Sequence, residues 1–164
     1  MKALSTIMAA LVLAASALPT PARAEVPGIL AGLDEVYVRV DYLSDVVLGA
    51  GMKDHDLLIQ LADHVRGAGI LVLQAGPEDS SGPLLALTVE SVELPTGDVA
   101  LHAALELREV VELDRRPGVY TLGSTWYSSM LTASPRMDVA GESRALVAAL
   151  SDQFVADLAA SVAP

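Results

Sequence analysis

Between Val99 and Leu113 the apolar residues fall on alternate positions, and this stretch narrows the possible folds more than any other. Val99, Leu101, Ala103, Leu105, Leu107, Val111 and Leu113 share one parity, broken only by Glu109. His102, Glu106, Arg108 and Glu112 occupy the other. A period of two belongs to a strand with one buried face and one wet face. Ala, Leu and Glu favour helix intrinsically, so helix is the competing reading. Turn signals on both sides, Pro95 to Asp98 before and Asp114 to Gly118 after, favour the strand.

The rest of the chain supplies elements for such a strand to pair with. Glu35 to Tyr42 alternates too, with Val36, Val38, Val40 and Tyr42 on one side and Tyr37, Arg39 and Asp41 on the other. Gly49 and Gly51 mark the loop that follows. Asp54 to Arg66 carries Leu57, Leu58, Leu61, Ala62 and Val65 at helical spacing. Asp54 is the expected N-cap, and Gly67 and Gly69 end the helix. Ile70 to Leu73, Leu84 to Leu94 and Val119 to Leu131 read as further strands, joined by polar turns such as Gly76 to Gly82. After a loop from Thr132 to Gly141, Glu142 to Val162 forms a long helix with Leu146, Leu150, Phe154, Leu158 and Val162 four residues apart. The order β-α-β-β-β-β-α predicts an α+β fold, a two-layer sandwich. Two helices cover one face of a mostly antiparallel sheet, and the other face is left partly open.

Residues 1–24 have the layout of a secretory signal peptide. Lys2 gives a positive start, Ile7 to Leu18 an apolar run, and Ala22-Arg23-Ala24 a small-x-small cleavage site. The run is too short to span a bilayer. The expected mature chain, residues 25–164, is one periplasmic or secreted domain, with no membrane insertion after cleavage. It has no cysteine, so packing alone must hold it without disulfides. Setting aside Lys2 and Arg23 leaves eight basic residues against 21 acidic ones, 13 negative charges net. Such a charge repels phosphate backbones and anionic lipid, so nucleic acid is not an expected partner.

Several residues invite chemistry. Asp54, His55, Asp56 and His64 are metal-ligand types. The two histidines are nine residues apart, about two and a half helical turns, and capping explains the aspartates. No metal is expected. Glu109 on the apolar parity is either a buried carboxylate with a raised pKa or a residue returned to solvent by a bulge. Ser124, Thr125, Ser128 and Ser129 have no histidine nearby in sequence, leaving only His102 on the adjoining strand. There is no nucleophile elbow, phosphate loop or dinucleotide fingerprint, so no cofactor is expected. Gly123 to Tyr127 holds the only Trp. Trp126 shares strand parity with Tyr120, and Tyr127 points the other way. These aromatics suit either a contact surface or the core beneath the last helix.

The run from Val36 to Tyr42, the helix Asp54–Arg66 leading into Gly69-Ile70, the strand series and the helix from Glu142 resemble, in their order, a group of bacterial envelope accessory proteins. The group includes the small lipopolysaccharide-assembly lipoprotein, auxiliary lipoproteins of ABC transporters and the curli-secretion periplasmic domain. The lipid-attachment cysteine usual there is missing. The resemblance implies a non-enzymatic exported module that binds another envelope protein. The residues expected at the contact are Arg39, Asp41, Arg108, Trp126 and Tyr127. The alternative is a small-ligand binder with an apolar pocket between sheet and helices.

Overall fold

The computed structural model describes residues 29–74 and 82–162. The export segment read over residues 1–24 lies outside them, as does most of the polar turn read over 76–82. The chain runs β1 (Glu35–Leu43), α1 (Asp45–Gly49), α2 (Asp54–Gly67), β2 (Leu71–Gln74), β3 (Leu84–Glu93), β4 (Val99–Glu112), β5 (Tyr120–Ser134), a 3-10 turn and α3 (Val139–Val162). The five strands form one sheet in the order β2-β1-β3-β4-β5. The fold is α+β, with helices packed on the sheet.

The alternating stretch is a strand, and it lines the core along most of its length. Leu101, Ala103, Leu105 and Leu107 are fully buried, while His102, Ala104, Glu106 and Arg108 between them are half-exposed. The buried set meets Leu57, Leu61 and Val65 of α2 and Val147, Leu150 and Phe154 of α3 in a single apolar cluster. Each fully buried side chain of this kind stabilises the fold by about 1.5–3 kcal/mol.

The sheet is mixed, which corrects the mostly antiparallel expectation. β1 pairs parallel with both β2 and β3, while β3, β4 and β5 are antiparallel neighbours. The cause lies between β1 and β2. A connection carrying helices spans the length of the sheet and brings the chain back in the same direction. The hairpin from β3 to β4 closes as the sequence indicates, with Gly97 at φ +89° and its N–H donating to Leu94 O at 2.9 Å.

Element boundaries differ in physically instructive ways. The N-cap of α2 is Lys53, in extended conformation with no side-chain cap, so Asp54 sits one residue inside. There, together with Asp56, it complements the positive end of the helix. Gly49 ends a short helix rather than lying in loop, and Val47 of that helix is buried. β5 runs on to Ser134 and α3 begins at Val139, which shortens the expected loop. On α3 the buried stripe is wider than the four-residue series. Ser143 and Ser151 join it, each satisfied by donating to the carbonyl four residues back, at 2.8 and 2.7 Å.

At one end the sheet thins. β3 pairs with β4 only as far as Arg108, whereas β4 and β5 continue together to Glu112 and Tyr120. Beyond Arg108 the sheet is a two-stranded ribbon, closed by Leu113 N–H donating to Val119 O at 2.9 Å.

Candidate functional site

Two bulges decide which side chains reach the open face of the sheet. On β1 the register with β3 slips between Val40 and Tyr42, leaving Asp41 as the extra residue. Before the slip Arg39 faces outward. After it Tyr42 faces outward and Leu43 goes inward, with Leu43 6% exposed and Tyr42 52%. The strict alternation that put Tyr42 with Val36, Val38 and Val40 fails at this point. On β5 the register with β4 slips opposite Leu107 and Arg108, leaving Thr125 as the extra residue. Trp126 pairs with buried Leu107, while Ser124 pairs with outward Arg108. Tyr120 therefore shares the open face with Tyr127, and Trp126 lies on the opposite face. A bulge adds one residue to one strand and reverses parity beyond it.

The first bulge builds an ion-pair cluster. Asp41 accepts from Arg39 Nε at 2.5 Å and from Arg108 Nη1 at 2.6 Å. Arg108 also grips Glu106, its Nε and Nη2 donating to one carboxylate oxygen at 2.7 and 2.5 Å. Two arginines and two carboxylates thus neutralise one another, their side chains only 21–38% exposed. Partial burial alone would raise the Asp41 carboxyl. The hydrogen bonds and charges of Arg39 and Arg108 outweigh it and hold the group below its usual 3.8. The hydrogen bond from Arg108 to Glu106 holds the Arg108 guanidinium above its usual value, against a smaller opposing effect of burial and with further help from Asp41. Both shifts favour the charged forms of Asp41 and Arg108. Asp41 is then an acceptor, not a proton donor, and Arg108 already spends three N–H groups on carboxylates.

Beyond this cluster the face is largely apolar, with Glu90 and Glu112 as its further carboxylates. Tyr42, Val92, Val110, Tyr120, Leu122, Tyr127 and Leu131 lie on it, each between 47% and 74% exposed. His102 and Glu90, directly opposite each other on β4 and β3, make a 3.2 Å contact on the same side.

The expected contact residues therefore divide. Arg39, Asp41 and Arg108 come together in one cluster, and Tyr127 lies beside it, in register with Glu106. Trp126 is elsewhere. It is 6% exposed under α3, its ring edge against Phe154 with centroids 5.0 Å apart, and its indole N–H donates to Asp157 at 2.8 Å. Trp126 packs the core and has no place on the open face. Sequence reasoning missed Glu106 as the second anchor of Arg108, and missed Tyr42 and Tyr120 as outward residues. The residue types of Asp41 and Thr125 do not mark bulges, so only the register reveals them.

Other candidate chemistry disperses. Glu109 keeps the helix-side parity but is half-exposed, accepting from Thr125 Oγ1 at 2.6 Å. His102 is on the opposite side of the sheet. His64 Nδ1 donates to Gln60 O at 2.8 Å, which satisfies one ring nitrogen within its own helix. A half-open cleft of about 470 Å³ lies at the end of the sheet, where Leu30, Leu33, Leu71 and Leu107 meet the carboxylates of Asp34, Glu35 and Glu109. The region between sheet and helices is instead filled by fully buried Leu61, Leu101, Leu105 and Phe154. Among the described residues no helix is long and apolar enough to cross a membrane.

No family model matches this chain, and no curated protein matches it. Among solved structures it is similar to a PelC dodecamer from Paraburkholderia phytofirmans, at 13% identity and a TM-score of 0.45, over 77% of this chain and 87% of that one. It is also similar to a minor lipoprotein from Acinetobacter baumannii, at 12% identity and a TM-score of 0.37, over 78% and 92%. A putative lipoprotein from Caulobacter crescentus aligns at 14% identity and a TM-score of 0.32, over 80% and 93%.

Proposed function

We propose that this chain is an exported, non-enzymatic accessory module of the cell envelope, and that it docks another envelope protein on the open face of its sheet. The observation that carries the reading is the character of that face. Exposed Tyr42, Val110, Tyr120 and Tyr127 share the face with a charge cluster already neutralised within itself. Aromatic and apolar groups with few uncompensated charges are what the centre of a protein interface is made of. The signal-peptide layout of residues 1–24 supports export.

The test is a photo-crosslinking residue placed at Tyr42 on the open face or at Asp63 on α2, in the full chain expressed in its own cells. A discrete adduct with a second protein from Tyr42 and none from Asp63 is the expected result. Equal labelling from both positions, or an unprocessed chain retained in the cytoplasm, overturns the reading.

A further inference from the structure

The two edges of the sheet are not equally protected. β2 offers four residues, a length that limits pairing with another chain. β5 offers fifteen, about 50 Å of strand at ~3.4 Å per residue. Among the described residues only β4 pairs with it. Folded proteins guard such an edge with Lys, Pro, inward charge or bulges. β5 contains no charged residue and no proline, and its one bulge, at Thr125, leaves Trp126 to Ser134 regular.

We propose that a second copy of this chain pairs antiparallel along Trp126–Thr132, about a two-fold axis at Ser129, joining two five-stranded sheets into one. The charge distribution selects the occupant. Two copies of a chain with net charge −11 repel wherever carboxylates meet. Carboxylates stand on β1, β3, β4 and all three helices, whereas β5 has none. The residue pattern is also self-complementary. With Ser129 on the axis, Tyr127 of each copy lies opposite Leu131 of the other, on the open face. These side chains are 53% and 74% exposed in one chain, so pairing covers apolar surface on both sides of the axis. On the helix side the same register sets Ser128 against Met130. No like charges meet, and cyclic two-fold pairs are the commonest closed assembly.

This inference concerns the edge and stands apart from docking on the face. Its test uses the absence of native cysteine. Ser129→Cys places two thiols across the axis, where strand spacing suits a disulfide. Ser124→Cys lies on the same open face beyond the bulge and serves as the control. The processed wild-type chain is expected to sediment at twice its monomer mass at high concentration. Under mild oxidation Ser129→Cys should cross-link at least tenfold faster than Ser124→Cys. A chain carrying both Tyr127→Lys and Leu131→Lys should be monomeric, and mixing it with one carrying Tyr127→Glu and Leu131→Glu should restore the pair. A monomeric wild type, or equal cross-linking from the two cysteine variants, overturns the proposal. If the lysine variant loses its fold, the cysteine comparison alone decides. A partner captured at Tyr42 while the wild type stays monomeric removes the self-pairing and leaves docking intact. A dimer with no adduct at Tyr42 does the reverse.

Discussion

Neighbouring residues of β4 live in two different chemistries. Leu101, Leu105 and Leu107 are sealed beneath the helices. Glu106 and Arg108, one residue away, are held by ion pairs in partial contact with water. The inward side is stabilised by area removed from water and by close packing, both of which depend on shape. The outward side is stabilised by charges that solvent screens. One strand therefore combines a face that tolerates little change with a face that tolerates much, and a surface of the second kind is free to be shaped by a partner.

The largest way to break this contrast is to open the inward side. Leu105→Ala should cost about 2–5 kcal/mol, read as a lower urea midpoint with unchanged slope, because the methyl groups removed leave a cavity between α2, α3 and the sheet. Trp126→Phe comes next. It keeps a ring near Phe154 but removes the donor to Asp157, and should cost about 1.5–2 kcal/mol. A loss as large as that of Leu105→Ala would show that the indole volume, not its hydrogen bond, matters. On the outward side Arg108→Ala strips a partner from both Asp41 and Glu106, yet should cost only about 1 kcal/mol by the same denaturation.

The smallest effect is a pH dependence. The Asp41 carboxyl titrates lower in the folded chain than in the unfolded one. Its contribution is complete above the unfolded value near ~3.9. It fades as pH falls through the lower folded value, where the unfolded state binds the extra proton. The difference in stability between the wild type and Asp41→Asn should shrink on acidification below about pH 4, from no more than about 1 kcal/mol at neutrality. A difference that grows toward acid would place Asp41 in a different electrostatic setting from the one described.

Periodicity carries the layered architecture, and two bulges hide the site. The alternation from Val99 and the stripe of Leu146, Leu150, Phe154 and Leu158 are repeats imposed by burial, so they are written in every few residues. Asp41 and Thr125 each interrupt a strand once, through main-chain pairing with a distant neighbour. No local pattern records such a partner, and each interruption reverses the facing of what lies beyond it. The grouping of Tyr42 with Val40, and of Trp126 with Tyr120, fails for this reason, while Arg39, Asp41 and Arg108 keep their facing. The parallel pairing of β1 with β3 was hidden for a related cause, since strand direction depends on connections and not on side-chain order.

Past Arg108 the paired strands lose their third neighbour, and Val110, Tyr120 and Leu122 stand in water. A ribbon of two strands has little stability of its own. Its amides should trade protons with solvent before those of any strand beneath the helices. The tip thus opens at lower cost than the packed body that carries it.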